Sequence, residues 1–300
     1  MSTGAPFPRP LPFTEILDVT LRWSRRHLTS ILLPTATPVA LLAGLVPITQ
    51  VWWLRSFSTI GRPDPMAMFR SMGPMFAVVL VFMFVQFFAS VAMIVAACRA
   101  VSGEAVGMGS AWAFGFRPRV FGTLLMSGLA ILAGLFCCVL PGLYVALLFS
   151  MTLPVVFFES RFGPDALGRS RELATHNPAR QFSADPRVKI FVMGFVGYLV
   201  GYAVSFVVQL PAMVVQQILT MRMMGSGESV DPIQIMSKMV WLQAPTQMLG
   251  ALAQMVMQLY ISFGTALLYF DLKLRREGGD LQAAAEAMAA GPAAPDEGGA

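Results

Sequence analysis

The chain alternates between long apolar runs and short charged links. Asp, Glu, Lys and Arg are absent from residues 27–54, 71–98, 120–158, 190–221 and 239–270. Each run is long enough to cross a hydrocarbon core of about 30 Å as a helix rising about 1.5 Å per residue. The pattern predicts an all-α fold, a polytopic membrane helical bundle. The run 120–158 sets the number of spans, because as a single helix it would be about 58 Å long, nearly twice what a bilayer needs. Pro141-Gly142 sits near its centre in VLPGLY. Proline removes an amide donor and glycine permits a tight turn, so a helical hairpin turning at Pro141 and Gly142 is expected. Six transmembrane helices follow, at about 31–54, 75–98, 120–140, 143–158, 190–210 and 246–270.

The basic residues test this topology independently, since Lys and Arg gather in cytoplasmic loops, the positive-inside bias. With six spans and a cytoplasmic N-terminus, 16 of the 21 Lys and Arg fall inside, leaving Arg55, Arg62, Arg70, Arg222 and Lys238 outside. A single span over 120–158 reverses everything after it and divides them 9 against 12. The expected setting is therefore the cytoplasmic (inner) membrane of a bacterium, multi-pass, with N- and C-termini cytoplasmic. A basic face meeting anionic lipid head groups accounts for a pI near 9.4 without any nucleic acid partner.

Before the first span, Phe13, Ile16, Leu17, Thr20, Leu21 and Leu28 share one helical face, and Glu15, Asp18, Arg22, Arg25 and Arg26 share the other. This is the pattern of an amphipathic interfacial helix, with Thr14 as N-cap and Asp18–Arg22 as an i,i+4 pair. GPDALGRSRELATHN precedes the fifth span and GMGSAWAFGFRPR the third. Every odd span is thus introduced by a basic surface segment. The even spans end alike too, in FESRFGPD and FDLKLRREGGD, a pattern that suggests three related hairpins.

Composition agrees: 56% of residues are apolar, 12% are charged and the mean hydropathy is +0.67, where soluble domains carry about a quarter charged residues. Residues 13–276 read as one membrane domain, between a Pro-rich, disordered 1–12 and a Gly, Ala, Pro and acid tail, 277–300, also expected to be disordered. The first apolar run is too long for a signal-peptide core and is expected to be retained.

Candidate chemistry is sparse. His27 and His176 are far apart, with no Cys or His near them at metal-ligand spacing, so neither a metal site nor His-based catalysis is expected. Cys98, Cys137 and Cys138 read as small hydrophobes within spans, and the 21 Met as flexible core filler. No span holds an ionisable group of the kind that proton-coupled carriers place at depth. Gln247, Gln254, Gln258, Ser262 and Thr265 share a face of the last span. Such a polar intramembrane stripe reads either as interhelical hydrogen bonding or as the lining of a polar groove. Gly194, Gly197, Gly201 and Ser205 form a small-residue face, for packing within the chain or for a homodimer through Gly197 and Gly201. At the cytoplasmic boundary Glu15, Asp18, Glu159 and Asp271 face Arg22, Arg169, Arg171, Arg275 and Arg276, a candidate charge network locking surface helices to span ends.

EILDVTLRWSRRHL, VSGEAVGMGSAW, VLPGLYVALLFSMTLPVVFFE with GPDALGRSREL, and TALLYFDLKLRREGGDL stand in this order from residue 13 to 281. In these the chain resembles a family of bacterial six-span integral membrane proteins, similar to the membrane domain joined to some glycerophosphodiester phosphodiesterases and mostly uncharacterised. THNPARQFSADPRVK, at 175–189, is longer than that family's usual link. The resemblance implies a six-helix domain with no catalysis of its own, since the hydrolase barrel of the fused proteins has no counterpart in these residues.

The expected function is a non-catalytic membrane scaffold or accessory subunit with a basic cytoplasmic face, not an enzyme, needing no cofactor. Its partners would be membrane lipids and a membrane or cytoplasmic protein. The alternative is a lipid- or small-molecule-handling protein or transporter component, with a cavity between spans broken at Pro141, Pro154 and Pro211 and lined by the glutamine stripe. A lipid enzyme is disfavoured, because no two polar residues at one depth make a nucleophile and base.

Overall fold

The computed structural model describes residues 12–58, 65–175, 185–225 and 232–289. Among these residues the chain is helical, with no strand: α1 Phe13–Arg26, a π-helical turn Leu28–Leu32, α2 Leu33–Ser58, α3 Pro65–Val101, α4 Met108–Gly115 and α5 Pro118–Cys137. These are followed by α6 Val139–Phe149, α7 Thr152–Glu159, α8 Pro164–Thr175, α9 Pro186–Gly225 and α10 Pro232–Ala289. Six segments are long and apolar enough to cross a membrane: Leu28–Trp53, Met72–Val101, Pro118–Cys137, Val139–Glu159, Pro186–Ile218 and Gln243–Gly278. Arg9, Arg62, His176, Arg180, most of the 175–189 link and residues 290–300 lie outside the described residues.

The core forms around α10, which packs against α1, α2, α3 and α9. Met255, Leu259, Phe263 and Tyr269 of α10 are fully buried, together with Val39 of α2 and Met93 and Val95 of α3. Leu80, Phe84, Leu129, Tyr198 and Val207 are exposed large hydrophobics on spanning helices. In water such surface would be costly; against lipid chains it is the expected exterior.

The hairpin exists, but Pro141-Gly142 is not its turn. The break falls at Cys138, whose backbone is extended (φ −177°, ψ 158°), and Pro141 occupies the first turn of α6, where a missing N–H costs nothing because that donor is unpaired anyway. Gly142 serves close approach instead: a Cβ there would lie 2.5 Å from Leu135 side-chain atoms and 2.8 Å from the Leu135 nitrogen. Gly134 faces it, a Cβ there meeting the Gly142 Cα at 3.0 Å. Cys137 and Cys138 are exposed at this tip, not packed in a span, and Cys98 is buried. The fourth span is itself broken, α6 handing over to α7 at Ser150–Met151, three residues before Pro154.

Two further expectations are corrected at the ends. Helix α1 starts directly after Pro12, with no side-chain cap, so Thr14 is not the N-cap. Helix α10 continues past Glu277 to Ala289, where a disordered tail was expected. LQAAAEAMA is rich in strong helix formers, and they extend the helix through Gly278-Gly279.

Candidate functional site

The short helices α1, α4 and α8 each precede an odd-numbered span, as the sequence predicts, and gather at one end of the bundle with the starts of α5 and α9 and the charged part of α10. Helix α1 docks on α10 through a buried line of Ile16, Thr20 and Ser24. The hydroxyls of Thr20 and Ser24 donate to the carbonyls of Ile16 and Thr20, at 2.6 and 2.7 Å, and so need no further partner. Trp23 and His27 meet Phe263 edge-on, at 6.1 and 5.6 Å between ring centroids. Partial burial, and secondarily Arg26, lowers the His27 pKa.

Glu159 closes α7 and organises the other side of this end. After it the chain turns through Ser160 (φ 53°) and Gly163 (φ 61°), both left-handed, a conformation glycine adopts freely and serine at some strain. The Gly163 N–H donates to Thr123 Oγ1 of α5 at 2.7 Å, fixing the turn. Helix α8 then lies across the span ends, and Ser170 Oγ donates to the Leu148 carbonyl at 2.7 Å near the α6–α7 break. Arg169 Nε donates to both Glu159 oxygens, at 3.2 and 3.1 Å. Tyr269 Oη donates to Glu159 Oε1 at 2.9 Å, and Arg161 pairs with Oε2 at 3.2 Å. Arg169 also reaches Glu277 at 2.7 Å, and Arg276 reaches Glu172 at 2.9 Å, so α10 is tied to α8 twice. The glutamates raise the Arg169 pKa despite its partial burial.

A second cluster sits between the fifth and sixth spans. Asp271 is 3% exposed and Lys189 5%. Lys189 Nζ donates to Asp271 Oδ2 at 3.3 Å, and Arg275 Nε to the same oxygen at 2.9 Å. Phe158, preceding Glu159, and Phe270, preceding Asp271, meet edge to face at 4.7 Å, while Phe158 stacks on Tyr269 at 5.2 Å. The FFE and YFD span ends are neighbours in space.

The sequence-predicted network is therefore two clusters, with part of the predicted set left out. Glu159 and Arg169 form one, with Arg276 joined through Glu172; Asp271 and Arg275 form the other. Asp18 and Arg22 pair at 2.9 Å on the exposed face of α1 and join neither. Glu15 lies on the same helix, and Arg171 is exposed on α8. Tyr269, Glu172, Glu277 and Lys189 were missed. Glu277 was assigned to the tail, and the FFE/YFD similarity was the signal that Tyr269 belongs beside Glu159.

The polar stripe does not act as a unit. Ser262 and Thr265 donate to the carbonyls of Gln258 and Ile261 of their own helix, at 2.7 and 2.8 Å, and Gln254 is exposed. Gln247 lines a groove of about 470 Å³ at the opposite end of the bundle, with glutamines of α2 and α9 that no single-helix pattern connects. The small-residue face is occupied within the chain: added Cβ atoms at Gly197 and Gly201 would meet Met257 of α10 at 2.7 and 2.5 Å.

Fold and end geometry together define a multi-pass α-helical membrane protein. No protein-family model, no curated protein and no solved structure matches the chain.

Proposed function

We propose that the protein is a non-catalytic membrane scaffold or accessory subunit whose charged end is cytoplasmic and holds anionic lipid head groups. The observation that carries this is the unequal use of charge at that end. Asp271 is buried and the Glu159 side chain mostly so, and both are consumed by Arg169, Tyr269, Lys189 and Arg275. Arg25, Arg26, Arg119 and Arg171 are exposed and form no ion pair among the described residues. Juxtamembrane cations of this kind gain about 1 kcal/mol each from an anionic leaflet. The same positive bias supports a cytoplasmic charged end and N-terminus, and the family resemblance supports the inner membrane of a bacterium as its setting. The resemblance to the membrane domain of glycerophosphodiester phosphodiesterases supports a domain without chemistry of its own.

Native mass spectrometry of the protein, extracted with its own lipids, tests the reading. Anionic lipid should be retained by the wild type and lost when Arg25, Arg26, Arg119 and Arg171 are all changed to Ser. Averaged membrane lipid in both proteins overturns it, and a retained protein with no anionic lipid replaces the lipid by that partner.

A further inference from the structure

The groove at the end away from the charges is a site in its own right. It lies between α2, α3, α9 and α10 and encloses about 470 Å³, within the usual range of small-molecule sites. Its polar lining is Gln50 of α2, Gln209 and Gln216 of α9, and Gln243, Thr246 and Gln247 of α10. No Asp, Glu, Lys, Arg or His lines it among the described residues. The five side-chain amides form no hydrogen bond among those residues. Five amides from three helices converge beside an apolar wall that includes Phe82 and Met83, with Gln50, Gln209 and Gln243 half-buried and Gln216 and Gln247 exposed, so their donors and acceptors are open to an incoming group.

Depth places the groove relative to lipid. At about 1.5 Å per residue, Gln209 lies about 30 Å along α9 from Lys189, and Gln247 about 36 Å along α10 from Asp271. The hydrocarbon core is about 30 Å thick, so the groove opens at head-group level in the leaflet opposite the charged end. Three of the lining helices carry an internal proline there. Pro47, Pro211 and Pro245 are internal to α2, α9 and α10, each within four residues of a lining glutamine. Each proline leaves the carbonyl four residues earlier without its helical donor. Non-ideal backbone at membrane depth is tolerated where it borders a cavity. Gly250 makes room as well, since a Cβ there would sit 3.2 Å from Gln209 Nε2.

We infer that this groove binds an uncharged sugar, a glycosyl group. Each amide offers two donors and an acceptor, and each hydroxyl offers both, so the sets are complementary. A phosphate or a quaternary amine would enter with no counter-charge. The group comes either from a glycolipid head in that leaflet or from a free sugar. The site is independent of the anionic-lipid reading, which concerns the other end.

The purified full chain is presented by native mass spectrometry with three probes: a monoglycosyl diacylglycerol, a phosphatidylglycerol of the same chains, and a soluble methyl glycoside. The glycolipid should be retained over phosphatidylglycerol at this site, and the preference should fall about 30-fold when two amide hydrogen bonds are removed in Gln209→Leu/Gln247→Leu. Gln254→Leu, on the same helix but outside the groove, should leave it unchanged, and Gln247→Leu alone serves if the double variant does not fold. Methyl glycoside binding as tight as the glycolipid's, and equally lost in the variants, assigns the source to a free sugar. Equal retention of both lipids, or a preference indifferent to the glutamine substitutions, overturns the proposal.

Discussion

Asp271→Ala is the most informative single perturbation, because Asp271 is the ion-pair partner of a buried lysine. The Lys189 and Asp271 side chains are 6% and 1% exposed and 3.3 Å apart. At an effective dielectric of about 20 their attraction is about 5 kcal/mol, most of which offsets the cost of dehydrating two ions. Deleting the carboxylate leaves that cost with nothing against it. A charge stranded in this way destabilises by about 3–5 kcal/mol. Arg275, a third exposed, can turn toward solvent and adds about 0.5 kcal/mol. The variant is therefore expected to lose about 4 kcal/mol, read as a shifted unfolding midpoint in mixed micelles of a mild detergent and SDS. Removing both partners in Lys189→Met/Asp271→Leu should restore most of it, to within about 1 kcal/mol of wild type. A loss below about 0.5 kcal/mol in Asp271→Ala, or an equal loss in the double variant, would refute the pairing argument.

Gly142→Ala forces a Cβ to within 2.8 Å of the Leu135 nitrogen and is expected to cost about 1–3 kcal/mol in the same assay; Gly128→Ala, where a Cβ meets nothing within 4 Å, should be neutral or slightly stabilising. Glu159→Gln weakens the hold on Arg169 and is expected to cost the docking of α8 about 2 kcal/mol, seen as roughly 30-fold faster hydrogen exchange over Pro164–Thr175 with the α10 core unchanged. His27 is held below its ordinary pKa by burial and Arg26, so the unfolded chain takes up its proton first. Its contribution is complete above about pH 6.5 and is lost as pH falls through the folded value. The thermal midpoint should drop between pH 7 and 5 in the wild type and less in His27→Gln, and identical profiles would remove His27 from the account.

Six spans were legible because lipid leaves so few ways to satisfy a backbone, and charge-free runs record that constraint directly. Pro141-Gly142 misled for a local reason. A proline can mark a turn or occupy the first turn of the next helix, and sequence does not distinguish a glycine needed for φ from one needed for contact with Leu135. Asp18–Arg22 was legible, being local to one helix. Glu159–Arg169 was legible as a cluster, whereas Lys189–Asp271 joins residues 82 apart in sequence and needs the packing of α9 on α10. The groove glutamines were hidden for the same reason, since Gln50, Gln209 and Gln247 share no period. The stripe on α10 followed helical spacing, yet Gln254 is exposed, Ser262 is buried, and Ser262 and Thr265 satisfy themselves on their own backbone, which periodicity cannot reveal.

The acids at the charged end explain why its outer face is basic. The chain carries 21 Lys and Arg against 16 Asp and Glu, an excess too small by itself to make one end strongly positive. Burial supplies the asymmetry: Glu159 and Asp271 sit at the span ends, where carboxylates are desolvated and must be paired. They are met by Arg169 and Lys189, themselves mostly buried. Those pairs are neutral and internal, and they fasten α8 to the fourth span and the fifth span to the sixth. The arginines left over on α1, α5 and α8 remain outside, with lipid or water as their surroundings. One arrangement therefore fixes the surface helices and leaves cations on the face they form. If that coupling is correct, Glu159→Gln should disturb anionic-lipid retention as well as α8 exchange, although Glu159 touches no lipid.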